Sequence, residues 1–209
     1  MTNKLTDLSL EDFCKELSSS SPAPGGGSTG ALAAALASSL VSMVANLTIG
    51  KKKYHEVEKQ MKMIKDEANR LTKSLLILVD KDTKAFNKVM EAFKMPKSTQ
   101  DEKKLRSKAI QHAMMGACEV PLEIARYSVK IASISNKVAI NGNKNAITDA
   151  GVAARLAEAS YFAGVYNVRI NLASIKNDDY IEKTNKILNE LKVELLELVN
   201  PVYEICSDI

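Results

Sequence analysis

At 209 residues the chain is long enough for one domain with a full core, and 45% hydrophobic against 26% charged residues excludes intrinsic disorder. Nine glycines, five prolines, 5% aromatic residues and no tryptophan argue against a turn-rich β-sandwich and for long helices. The excess of 29 basic over 25 acidic residues leaves +4, compatible with an anionic ligand but too mild for a nucleic-acid-binding footprint.

Cys14, Cys118 and Cys206 are far apart and odd in number, with no CxxC spacing. That excludes a disulfide framework or a zinc site as the organising element and fits a reducing, cytoplasmic setting. Met1 to Asp7 carries an early acid and no apolar stretch, so no secretory signal is expected.

Taken in chain order, Ser9-Leu10-Glu11-Asp12 reads as a cap opening a short helix that buries Leu10, Phe13, Cys14 and Leu17. Ser18 to Gly27 is the longest run of helix breakers and ends at Ser28 and Thr29, suitable N-caps for the next helix. Residues 28–49 carry no charge and precede Lys51, Lys52 and Lys53, the pattern of a membrane span with flanking charge. Six of those 22 residues are alanine, only four are leucine, and Ser38, Ser39, Ser42 and Asn46 interrupt them. The expectation is therefore a helix buried in protein, with no membrane partner.

From about Lys53 to Phe93 the pattern is continuously helical, with Val57, Met61, Ile64, Ala68, Leu71, Leu75 and Leu78 on one seam. Continuing the count gives Asp82, Ala85, Val89 and Ala92. Such a helix would run about 60 Å, longer than a domain of this size is wide, which predicts either a break or pairing in a homodimer. Pro96 stops it, and Thr99-Gln100-Asp101-Glu102 is a capping box for a helix carrying Leu105, Ala109, Ala113 and Ala117. Pro121 is expected to kink or end that helix, followed by a further piece over Leu122–Ile134. Asn141 to Asn145 is a turn by composition, and Thr148 or Asp149 caps the next helix. That helix has an apolar face of Val152, Leu156, Ala159, Ala163, Tyr166 and Ile170, read as its core face. A second face carries Ser160, Gly164, Asn167 and Asn171. A last helix holds Ile181, Thr184, Leu188, Leu191, Leu195, Leu198, Val202 and Ile205, bent at Pro201. The expected fold is all-α: one domain over 1–209, a multihelical bundle with one long helix pair.

Asp82 carries the most chemical information. A carboxylate on an apolar seam loses several kcal/mol of hydration unless it is paired or has a task, and a shielded acid suits proton transfer near neutrality. The alternative is a helix that has rotated by residue 82 and leaves the acid in water. Gly25, Gly26 and Gly27 before Ser28 let backbone N–H groups approach an anion or a flat ligand, although a flexible linker has the same composition. Asn143, Asn145, Asp149, Asn167 and Asn171 suit either recognition of a heteroaromatic ring or capping and interhelical packing. Lys51, Lys52 and Lys53 are a solvated helix start or a site for carboxylates. His55 and His112 have no ligand-spaced partners, so no metal is expected.

Together, PAPGGGS (22–28), MVANLTIGKKKY (43–54), LVDKDTKAF (78–86), VPLEIA (120–125), GNKNAITD (142–149) and GVYNVRINL (164–172) resemble the formiminotransferase-cyclodeaminase C-terminal domain family, which includes stand-alone methenyltetrahydrofolate cyclohydrolases. The resemblance runs through nearly the whole chain in order. It implies a helical homodimer acting on tetrahydrofolate one-carbon adducts as substrates, without a prosthetic group. The family's catalytic aspartate falls on Asp82, and its glycine loop on Gly25, Gly26 and Gly27. Its remaining motifs match Gly142, Asn143, Asp149 (with Thr148 in place of serine), Asn167 and Asn171. On that reading Ser28 also lines the site, Asn143 or Asp149 meets the pterin edge, and Lys51 and Lys52 meet the glutamate tail. Two reactions are implied: hydration of the N5,N10-methenyl carbon, and ring closure of the 5-formimino compound with loss of ammonia. A module that binds folate without turning it over is the non-enzymatic alternative.

Overall fold

The computed structural model describes residues 4–207, so Met1 to Asn3 of the expected leaderless start lie outside it. The described residues form six α-helices and three short 3-10 turns, without strands. The helices are α1 (Leu10–Leu17), α2 (Gly26–Thr48), α3 (Glu58–Lys94), α4 (Gln100–Asn141), α5 (Ile147–Leu172) and α6 (Asp178–Ser207). The turns are Leu5–Asp7, Lys52–Val57 and Lys144–Ala146.

Helix α2 is the centre of the bundle. Its Ala31, Ala34, Ala37, Val41, Val44 and Ala45 are fully enclosed, and it packs on α3, α4 and α5. Small side chains bring the neighbouring backbones close enough for hydroxyls to bond across: Ser28 Oγ donates to Val79 O at 2.8 Å and Ser38 Oγ to Ala68 O at 2.8 Å. By length and composition α2 could cross a membrane, yet more than half of its most apolar stretch is buried in protein.

The seam read along α3 is real: Met61, Ile64, Ala68, Leu71, Leu75, Leu78, Val89 and Ala92 are buried. Helix α3 does not break over its 37 residues, about 55 Å. It packs against α4, a longer helix of 42 residues, so its length needs no second subunit. The Thr99 capping box forms: its hydroxyl accepts the Glu102 N–H at 3.2 Å, and Glu102 Oε2 accepts the Thr99 N–H at 2.9 Å.

Several expectations are corrected. Helix α4 continues through Pro121, which does not end it. Proline has no N–H for the Ala117 carbonyl four residues back, and the Asn171 amide takes that carbonyl instead, at 3.1 Å. Helix α2 begins at Gly26, with Gly25 as a cap that has no side chain, so neither Ser28 nor Thr29 caps it. Helix α5 begins at Ile147, leaving Thr148 and Asp149 inside its first turn. In α1 only Phe13 is buried; Leu10 and Cys14 are exposed and Leu17 is half-buried.

The largest correction concerns α5. Its buried side is mostly small over the first part, with Ala150, Ala153, Ala154, Ala157, Ser160 and Gly164, and larger at Tyr161, Val165, Val168 and Leu172. The face read as core points outward, with Val152 50%, Tyr166 64% and Ile170 70% exposed. Tight packing decides the orientation: a Cβ on Gly164 would come within 2.7 Å of the Pro121 carbonyl, so no large side chain fits between α5 and α4 there.

Candidate active site

The start of α2, the C-terminal third of α3 and the end of α5 converge on one cavity of about 340 Å³. Its polar end is Gly25, Gly26, Gly27, Asp82, Asn167 and Asn171. Its apolar end is Ala85, Phe86, Val89, Met90 and Phe93 from α3, Met114 and Ala117 from α4, and Ile170 from α5. Both the volume and the apolar lining with a few convergent polar groups suit a small-molecule site.

Asp82 is half-buried on the α3 seam, against the first turn of α2. A Cβ added to Gly27 would overlap its carboxylate, so only glycine allows this approach. Ser28 Oγ lies 3.3 Å from Asp82 Oδ2 and 3.4 Å from Thr83 Oγ1. Its single proton is already directed at Val79 O, 2.8 Å away, which limits what it gives the carboxylate. Burial pushes the Asp82 carboxyl above the usual carboxylate range, and the Ser28 hydroxyl and backbone N–H draw it back only in part. This environment holds an acid nearer to neutrality without a cation to lock it as an anion, which suits proton exchange with a bound molecule.

The two amides are tied by their nitrogen ends. Asn167 Nδ2 donates to Ala163 O at 2.8 Å and Asn171 Nδ2 to Ala117 O at 3.1 Å. Both side chains line the cavity, and the Asn167 amide nitrogen lies against Gly26. These bonds show the packing role of both asparagines, and their place on the lining leaves them open to a bound molecule.

Of the anticipated residues, Asp82, Gly25, Gly26, Gly27, Ser28, Asn167 and Asn171 come together, whereas Lys51, Lys52, Asn143 and Asp149 do not. The latter lie at the opposite end of α2, about 30 Å away by the rise of the helix. Lys51 and Lys52 are exposed, Asp149 is half-buried, and Asn143 is buried in structural duty. Asn143 Nδ2 donates to Leu47 O at 3.0 Å, its Oδ1 accepts from Asn145 N–H at 3.2 Å, and its N–H donates to Thr48 Oγ1 at 2.9 Å. It closes the C-terminal end of α2, outside the Asp82 cavity of its own chain. The apolar wall of Phe86, Met90 and Phe93 escaped sequence reasoning, although its signal was present: these residues lie four, eight and eleven positions after Asp82, on its own helical face. Among the described residues no cluster of three or more His, Cys, Asp or Glu could hold a metal.

Comparison with known proteins gives this geometry a context. A family model described as formiminotransferase-cyclodeaminase matches residues 9–190. A methenyltetrahydrofolate cyclohydrolase from Methylorubrum extorquens is 39% identical over 195 residues, 93% of this chain and 94% of that protein. A formimidoyltransferase-cyclodeaminase from Mus musculus is 35% identical over 190 residues, covering 91% of this chain and 35% of that longer protein. The crystal structure of a formiminotetrahydrofolate cyclodeaminase from Thermotoga maritima shares the fold with a TM-score of 0.89 and 32% identity, covering 98% of each chain.

Proposed function

We propose, from the premise that the chain belongs to the formiminotransferase-cyclodeaminase family, that it is an enzyme of tetrahydrofolate one-carbon metabolism and acts as a methenyltetrahydrofolate cyclohydrolase. The match to the cyclohydrolase over nearly the full length of both chains supports this choice. The observation that carries the catalytic reading is the half-buried Asp82 at the floor of a cavity closed by Gly27.

In the proposed reaction Asp82 accepts a proton from the water that attacks the methenyl carbon. It returns that proton to N5 as the carbon–N5 bond breaks, the hydroxyl proton leaves to solvent, and the formyl group stays on N10. While ionised, Asp82 also stabilises the cationic methenyl bridge. The Asn167 and Asn171 oxygens accept from the N–H edge of the pteridine, and the Phe86–Phe93 wall takes the flat apolar part of the substrate. No prosthetic group is required. The second reading, a formiminotetrahydrofolate cyclodeaminase, is favoured by the fold match and passes through a similar tetrahedral carbon.

The homodimer is also a proposal. Leu36, Met43 and Leu47 on α2 and Val152, Tyr166 and Ile170 on the adjacent α5 make one exposed apolar face. Two helices about 35 Å long and 10 Å wide present about 700 Å² per subunit, near the typical 800 Å² of a stable interface. Pairing about a two-fold axis perpendicular to α2 lays the Lys51, Lys52 and Asp149 end of one subunit beside the cavity of the other. That would reunite the family residues one chain keeps apart and place two lysines where a glutamate tail leaves. A soluble, cytoplasmic protein without nucleic-acid partners belongs to the same reading.

The test supplies purified protein with methenyltetrahydrofolate and, separately, with the formimino compound, and follows the methenyl chromophore. Its accelerated loss in the first case supports the cyclohydrolase, and its appearance in the second supports the cyclodeaminase. No change in either assay contradicts the catalytic reading and leaves the folate-binding module.

A further inference from the structure

Two residues before Asp82, Asp80 faces the other way: a two-residue step on a helix turns a side chain by about 200°. Its carboxylate receives the start of the chain. Asp80 Oδ1 accepts the Leu5 backbone N–H at 2.6 Å, and Oδ2 accepts the Thr6 hydroxyl at 3.1 Å. Leu5 and Leu8 pack on the edge of the core, and Phe13 of α1 is buried in it. The segment Lys4–Leu17 is thus tied to α3 near its start by the Asp80 clamp, and Phe13 anchors α1 in the core.

The strap sits behind the glycine loop. A second cavity, of about 440 Å³, is lined by Leu5, Leu8, Ala23, Pro24, Asp80 and Thr83 among others. Ala23 lines this cavity and the Asp82 cavity alike, so the Pro22–Gly25 loop is a thin partition between them. The wall facing the candidate substrate is bordered on its other side by this second cavity, which Leu5, Leu8 and Glu16 of the strap also line. We infer that Asp80 is a positioning residue that sets the Pro22–Gly25 wall of the substrate cavity by clamping the Lys4–Leu17 strap behind it. The inference rests on the Asp82 cavity being the folate site.

The experiment compares Asp80→Ala, Asp80→Asn and Thr6→Ala with the unaltered full-length protein. Hydrogen exchange reads the clamp itself: Leu5 amide exchange rises in Asp80→Ala and stays slow in Asp80→Asn, whose side-chain oxygen still accepts. Steady-state kinetics on methenyltetrahydrofolate reads the wall. In Asp80→Ala, KM rises about five- to tenfold with kcat within about twofold, because loosened positioning weakens binding rather than proton transfer. Asp80→Asn restores most of the KM, Thr6→Ala shows a smaller rise, and the acid limb of the pH profile does not move. Should Asp80→Ala fail to fold, the Asn and Thr6→Ala variants carry the same comparison. Unchanged Leu5 exchange or an unaltered KM overturns the inference. So does a loss of kcat with a displaced acid limb, which would make Asp80 a direct participant. If the parent protein acts on neither folate, the exchange arm still judges the clamp while the functional reading fails separately.

Discussion

Replacing Gly27 by alanine isolates the closest approach in the site. The added Cβ would lie within 2.5 Å of the Asp82 carboxyl carbon, against the 3.4 Å at which ordinary contact begins. Something must move by roughly 1 Å, and the carboxylate is the mobile partner because the first turn of α2 is held by the core. A displacement of that size at a reacting group costs about a hundredfold in rate. Stability should not follow, since alanine is favoured over glycine within a helix by about 1 kcal/mol. The assay pairs methenyltetrahydrofolate turnover with thermal unfolding of Gly27→Ala. Gly116→Ala is the control, on α4 where an added Cβ meets nothing within 4 Å. The expectation is kcat/KM down about a hundredfold in Gly27→Ala with little change in Tm, and unchanged activity in the control. A Gly27→Ala enzyme with normal turnover would refute the placement of chemistry at this contact.

Asp82→Asn should lower kcat by about 10²–10⁴ while retaining substrate binding, measured by single-turnover kinetics and by titration of the bound chromophore. Because burial raises the Asp82 carboxyl, its stabilising share is full at low pH, below the ordinary aspartate range, and is lost as pH rises through the raised value. The Asn variant is therefore expected to unfold at equal or higher temperature than the parent at pH 7, by calorimetry. Asn171→Leu leaves the Ala117 carbonyl beside Pro121 without its donor and should cost about 1–3 kcal/mol in denaturant unfolding. Leu36→Glu together with Val152→Glu should convert a dimer to monomer in light scattering and weaken turnover at low protein concentration.

What was legible in the sequence follows from what each signal measures. The α3 seam is readable because one helix face repeats over many turns, and the carboxylate interrupting it lines the candidate cavity. The glycine loop and the two asparagines were legible as a set but not as a geometry. On α5 the apolar period was correctly found and assigned to the wrong side. Periodicity finds a face but not what covers it, and at Gly164 the inner position admits no side chain because the Pro121 carbonyl is too close. Pro121 misled for a related reason: its broken bond is repaired by Asn171, fifty residues on, as the 3.1 Å contact to Ala117 shows. Lys51, Lys52 and Asp149 share motifs with the site yet lie at the other end of α2, a separation that no one-dimensional pattern contains.

In the proposed mechanism the half-buried carboxyl at position 82 moves the proton. This step is tested most directly by following carboxyl-labelled aspartate by NMR across pH, beside the pH dependence of kcat/KM. The account predicts that Asp82 titrates above the usual aspartate range, that kcat/KM falls as pH drops through that same midpoint because the base becomes protonated, and that the Asp82→Asn protein loses both features. An Asp82 that titrates normally, or an acid limb that survives in the Asn variant, would contradict it.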